Sequence, residues 1–305
     1  MSSPASRREF LQSAALATAT FLSRKEGDLP VVIDTHLHCF AGPDDARFPY
    51  HPRAPYRPPA AATPEHLLKC MDGAGVNHAI VVHPEPYQDD HRYLEYCLQV
   101  GKGRLKGTCL VFADQPGSVR QLDGLAKRGD VVAVRIHAYV PDRLPPFGKP
   151  ELRTLWKKAS DLGMAVQLHF EPRYAPGFEP YIREFAKTKV IIDHLGRPFQ
   201  GTPEEHAVVV RWSRFANTVM KIAALPQPTE YPHRDPGPII KLLCDAYGVD
   251  RMIYGGGFGA TATPASYRTA RERVQSYLSH LKLEEQAKIL GQTAAILFGF
   301  SRPER

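Results

Sequence analysis

Near the start of the chain, Ile33-Asp34-Thr35-His36-Leu37-His38 closes a short apolar run. Residues two apart on a strand project to the same side, so His36 and His38 converge. Two imidazoles placed together can bind one divalent metal or hold one substrate carbonyl. An isolated His-x-His is as readily a pair of satisfied loop histidines, so the rest of the pattern decides. His83 ends a second apolar run, Arg135-Ile136-His137 a fourth, Leu168-His169 a fifth and Ile192-Asp193-His194 a sixth. Six of the 13 histidines therefore stand at strand ends, a distribution that chance explains poorly.

The elements that must position them follow from periodicity. Beyond residue 30 eight short apolar runs alternate with amphipathic stretches of helical length: Val31–Ile33, Ala79–Val82, Cys109–Phe112, Val131–Val134, Ala165–Leu168, Val190–Ile192, Val219–Ile222 and Met252–Tyr254. Glu65–Ala74 and Leu152–Leu162 read as helices, and Pro-acid pairs at Pro64-Glu65 and Pro203-Glu204 mark helix starts. Eight βα units predict an α/β fold, a closed (β/α)8 TIM barrel, whose chemistry sits at the carboxyl ends of its strands. An open doubly wound sheet is the second choice, weakened because no Gly-rich phosphate loop follows the first strand. Gly255-Gly256-Gly257 comes too late to serve as one. The Pro-rich stretch from Phe48 to Pro64 is expected to lie over the barrel mouth.

The chain has 305 residues, 43% of them hydrophobic and 23% charged, which excludes disorder, collagen and coiled coil as the main state. A net charge of +7 favours small anionic ligands, while the absence of clustered Lys/Arg interleaved with aromatics argues against nucleic acid. No apolar run reaches the roughly 18 residues of a membrane span, so no stable membrane anchor is expected. Ser6-Arg7-Arg8-Glu9-Phe10-Leu11-Gln12, followed by the weakly apolar Ser13–Leu22, resembles a twin-arginine export signal. Residues 1–25 are therefore read as an address for the twin-arginine export machinery and 26–305 as the barrel, with a periplasmic or extracellular location expected. Cys39, Cys70, Cys97, Cys109 and Cys244 form no pairing pattern and are read as mostly buried thiols.

Taken together, Asp34-Thr35-His36-Leu37-His38, Ala74-Gly75-Val76, Arg104-Leu105-Lys106-Gly107, Val134-Arg135-Ile136-His137, Asp193-His194-Leu195-Gly196-Arg197-Pro198 and the closing Lys288–Gly299 resemble the amidohydrolase superfamily, in its amidohydrolase-related branch. Within that branch the Asp-His-Leu-Gly-Arg-Pro segment is most similar to members that open sugar lactones and dicarboxylate lactones. The resemblance implies that His36, His38, His169 and His194 are catalytic. If a metal such as Zn or Mn is bound, its implied ligands are His36, His38 and His169; metal-independent lactonase chemistry is the other option. The family's aspartate after the eighth strand is replaced by Gly257.

Three functions remain open: a hydrolase of a lactone or related carboxylic ester, a binding protein that has lost catalysis, and a decarboxylase or lyase. For the first, a carboxylated lactone is the expected small anionic substrate. Arg135, His83, His137, Arg173 and Arg197 are its candidate contacts, and His194, His137 or Glu171 the candidate substitute base. Arg135 could equally be consumed in an ion pair with Asp34 or Asp193.

Overall fold

The computed structural model describes residues 30–139 and 141–301. The expected export signal lies outside the described residues. Eight parallel strands follow one another around a single sheet: β1 (Ile33–Leu37), β2 (His78–Val82), β3 (Leu105–Leu110), β4 (Val131–Ala138), β5 (Ala165–Phe170), β6 (Val190–Ile192), β7 (Thr218–Ile222) and β8 (Met252–Tyr254). The main helices between and after them are α1 (Pro64–Ala74), α2 (Arg92–Gly101), α3 (Ser118–Ala126), α4 (Pro150–Asp161), α5 (Ala175–Glu184), α6 (Pro203–Arg211), α7 (Gly237–Tyr247) and α8 (Pro264–Tyr277). The TIM barrel expected from the alternation is therefore the fold. The Pro-acid pairs do start helices. Thr63 caps α1 through the His66 amide, and Thr202 and Glu205 form a reciprocal capping box on α6.

Closure between β8 and β1 is made by side chains. The Thr35 hydroxyl donates to the Tyr254 carbonyl at 2.7 Å. Asp34 accepts the Gly256 amide (2.7 Å), the His36 amide (2.9 Å) and the Tyr267 hydroxyl (2.6 Å). Asp34 is thus a latch across the seam.

Period two along the strands sorts the barrel interior into levels. Ile33, Ile80, Ala133, Ala165, Ile191, Val219 and Ile253 make an apolar floor, sealed by Ala294, Phe298 and Phe300 of the C-terminal segment. Two residues further along β4, β5 and β7, and at the end of β6, stand Arg135, Gln167, Lys221 and Asp193, all buried. Above these come the histidines. The larger core packs the helices onto the outer face of the sheet, and all five cysteines are buried free thiols. Among the described residues no helix is long and apolar enough to cross a membrane.

Candidate active site

The polar level is organised by Asp193, which emerges from β6 with 1% of its surface exposed. Its Oδ2 accepts Arg135 Nε and Gln167 Nε2, each at 3.0 Å. Thr108 in turn holds the Gln167 carbonyl at 3.1 Å. Asp193 Oδ1 lies 3.2 Å from Lys221 Nζ and 3.5 Å from His36 Nδ1. Burial alone would raise the Asp193 pKa, but Lys221, Arg135 and His36 outweigh it and hold the carboxyl well below its usual range. A buried carboxylate is stable here because two cations and an amide compensate its lost hydration.

On this base stands a rim of imidazoles. The His36 ring lies 5.2 Å from His38 and 4.5 Å from His194, and His194 lies 5.1 Å from His169, which is 5.1 Å from His137. Burial, first of all, lowers every one of their pKa values: His38 to about 4, His194 to about 3, His36 and His169 well below 6.5. All are neutral at pH 7, so each ring carries one N–H and one lone pair. His38 Nδ1 is 2.7 Å from the Val82 carbonyl oxygen, which can only accept. The proton is therefore on Nδ1, and Nε2 keeps its lone pair. His169 holds the same tautomer, because its Nε2 accepts from Arg197 Nη1 at 3.1 Å and its proton sits on Nδ1.

His194 and Arg197 are aimed by an unusual backbone. His194, Leu195, Gly196 and Arg197 all have positive φ, at 55°, 59°, 70° and 55°. Each non-glycine residue in that region costs about 1–2 kcal/mol, so the turn persists only because its surroundings enforce it. His206 holds the Leu195 carbonyl at 2.7 Å, and a Cβ on Gly196 would meet Val209 Cγ1 at 2.6 Å.

Beside the rim lies a cavity of about 260 Å³ lined in part by Arg53, Glu85, Asp114, His137, Tyr139 and Arg143. Arg53 comes from the Pro-rich segment, which does reach the mouth. Glu85 is a second anionic hub. It accepts from the Tyr139 hydroxyl and from Arg143, and sits 3.5 Å from His137 Nδ1. Burial raises its pKa, but His137, Tyr139 and Arg143 bring it down to about 2.

Several expected roles change. His83 is fully buried, its Nε2 bonded to the Gln88 carbonyl (2.9 Å) and its ring stacked 4.2 Å from His91, so it packs behind the mouth and does not meet substrate. Arg135 is 3% exposed and committed to Asp193, the ion pair that was the alternative to a substrate clamp. Arg173 is half exposed and paired with Glu171 at 2.5 Å, which withdraws both the clamp and the substitute base expected of this pair. Arg197 and His137 remain available at the mouth. Lys221 and Glu85 went unread in the sequence. Each carried a signal: a lysine inside the apolar run Val219–Ile222, and a carboxylate two residues beyond His83.

The ligand set His36, His38 and His169 is not assembled, because the neighbours of the His169 ring are His137, Tyr139 and His194, and Arg197 uses its Nε2 lone pair. Among the described residues the donors that do come together are His36, Asp193 and His194, within 4.8 Å of one another. This group does not fit a divalent ion. Asp193 is already shared by two cations, Lys221 and Arg135, and its Oδ1 faces the lysine ammonium.

Gly257 has φ +116°, and a Cβ there would meet Ala270 Cβ at 2.6 Å and Tyr267 Cδ2 at 3.2 Å. The position faces α8, so the backbone and the packing both require glycine.

A family model described as amidohydrolase matches residues 33–300. The chain is 26% identical over 211 residues to an L-fucono-1,5-lactonase of Burkholderia ambifaria, an alignment covering 63% of this chain and 68% of that protein. In fold it is similar to a probable 2-pyrone-4,6-dicarboxylic acid hydrolase of Acinetobacter baumannii crystallised with citric acid (TM-score 0.71, 23% identity, 88% of this chain and 99% of that one). It is also similar to a putative 2-pyrone-4,6-dicarboxylic acid hydrolase of Pseudomonas putida (TM-score 0.73, 22% identity, 90% of this chain and 100% of that one). With its barrel topology, its histidine rim and a family match spanning nearly every described residue, the chain belongs to the amidohydrolase family.

Proposed function

We propose that this protein hydrolyses a small lactone carrying a carboxylate, and that it does so outside the cytoplasm. The observation that carries the reading is the fixed tautomer of His38: with Nδ1–H donated to Val82, Nε2 offers a lone pair beside His36. Water held by Nε2 attacks the ester carbonyl, a C–O bond forms, and the water proton passes to Nε2. Collapse of the tetrahedral intermediate breaks the ring C–O bond, and the imidazolium returns the proton to the departing alkoxide. The balance is lactone plus water giving a hydroxy acid. Arg197, anchored on His169 and lying over the Tyr139 ring, is placed to take the substrate carboxylate, which guanidinium binds bidentately. The L-fucono-1,5-lactonase relative and the fold neighbour crystallised with citric acid support a lactone and an anionic ligand, respectively.

The test is a panel of carboxylated and sugar lactones followed by acid release. Turnover of at least one carboxylated lactone, lost in Arg197→Ala through a raised KM, is expected. A folded wild type inert on the whole panel sinks the reading and leaves the binding-protein alternative, which the missing strand-eight carboxylate favours. The extracytoplasmic location is tested by fusing residues 1–30 to a folded reporter: export, abolished by Arg7→Lys with Arg8→Lys, is expected. Equal export of the double variant refutes it.

A further inference from the structure

Lys221 stands on β7 with none of its surface exposed, in the centre of the barrel directly beneath the histidine rim. A buried ammonium is tolerated only when its three N–H donors are met. Two are met by hydrogen bonds, to the Thr35 carbonyl oxygen at 2.9 Å and to His36 Nδ1 at 3.4 Å, and Asp193 Oδ1 lies 3.2 Å away as an ion contact. With Arg135 on the other carboxylate oxygen, two cations flank the Asp193 carboxylate.

We infer that Lys221 is the resident cation of this site: through its contact with His36 Nδ1 it fixes that imidazole as an Nε2–H donor to the substrate carbonyl, in the position of influence a divalent metal would otherwise hold. The chemistry is direct. An ammonium has no lone pair, so in the 3.4 Å contact His36 Nδ1 accepts and the ring proton sits on Nε2; the competing acceptor for an Nδ1 proton is Asp193 Oδ1, slightly further away at 3.5 Å. A protonated nitrogen cannot ligate a metal. Moving the proton to Nδ1 would set two N–H donors against each other, 3.4 Å apart.

The two histidines of the His-x-His pair therefore hold opposite tautomers, His36 with a donor at Nε2 and His38 with an acceptor there. A donor beside an acceptor is what carbonyl polarisation and water activation require together. Lys221 touches no substrate and acts through His36, so it is a positioning residue. The assignment rests on the lactonase reading for its reaction, but its geometry and its test do not depend on turnover.

The test uses the full chain, with histidine labelled with ¹⁵N and the His36 signals assigned by their loss in His36→Gln. The expected spectrum places the proton of His36 on Nε2 and leaves Nδ1 an acceptor. Wild type dialysed after equimolar ZnCl₂ is expected to retain less than about 0.1 Zn per chain, judged against the roughly tetrahedral N/O donor set that zinc needs. In Lys221→Met, Asp193 Oδ1 is freed to accept from His36 Nδ1. The tautomer then inverts and kcat falls by about 10²-fold or more with KM little changed, the scale of losing one carbonyl-polarising donor. His36 protonated on Nδ1 in the wild type, or one Zn retained per chain, overturns the inference even if Lys221→Met does not fold. The predicted tautomer together with an inert lactone panel would instead refute the lactonase reading and leave Lys221 as assigned.

Discussion

Substituting Gly257 tests whether the barrel can accept a carboxylate after the eighth strand, where the resemblance to the amidohydrolase family implies an aspartate. A Cβ there approaches Ala270 Cβ to 2.6 Å and the Tyr267 ring to 3.2 Å, and the backbone has φ +116°. Overpacking of a tight site costs about 1–3 kcal/mol and a side chain at positive φ about 1–2 kcal/mol more. At about 2 °C per kcal/mol for a domain of this size, Gly257→Asp and Gly257→Ala should each melt roughly 4–10 °C below wild type. Tyr267 also carries the hydroxyl that holds Asp34 at the β1–β8 seam, so the displacement reaches the strand bearing His36. Gly259→Ala is the control, because its Cβ would meet nothing within 4 Å, and it should melt within error of wild type. Thermal melts by circular dichroism, run beside the lactone assay, give the answer. A Gly257→Asp variant that melts like wild type and gains turnover would refute the packing argument and show that the carboxylate was simply lost.

The remaining predictions concern charge. With His38 as base and its pKa at about 4, kcat/KM should be flat from pH 8 down to pH 5 and fall with an acid limb near pH 4; a limb near 6.5 would assign the base elsewhere. Because His36, His38, His169 and His194 are depressed when folded, the unfolded chain binds more protons below pH 6.5. Stability is therefore fully present above pH 6.5 and lost as pH falls toward 4, and an unchanged melting temperature across that window would contradict their burial as neutral rings. Asp193→Asn orphans two buried cations and should cost about 3–5 kcal/mol in denaturant unfolding. Adding Lys221→Met to Asp193→Asn should recover part of that loss, and strict additivity would show that the two do not interact.

The barrel was legible because a buried parallel sheet writes itself as spaced apolar runs, and each of the eight runs overlaps one strand, six of them lying wholly within it. The strand limits depart from those of the runs where polar residues point inward. The first run continues through Leu37, so that His36 lies inside β1; the fourth runs on through Arg135 and His137 to Ala138; the third begins at Leu105, ahead of Lys106 and Gly107. A charged residue within a strand looks like a terminator until the barrel interior gives it a partner. The same blindness governed the site. The histidines were readable from their place at strand ends, but their roles depend on Val82, Lys221, Asp193 and Arg197, contacts that cross up to 185 residues of chain. The register of β1 against β2 also breaks between Asp34 and Leu37, which no alternation pattern announces.

The account turns on His38 Nε2 as the base that activates water. The most direct measurement is kcat/KM of wild type and His38→Ala on a carboxylated lactone, with melting temperatures recorded for both. A loss of about 10²–10⁴-fold, carried by kcat at similar stability, is predicted from the worth of general-base assistance. A folded His38→Ala that retains turnover within tenfold of wild type would contradict the account.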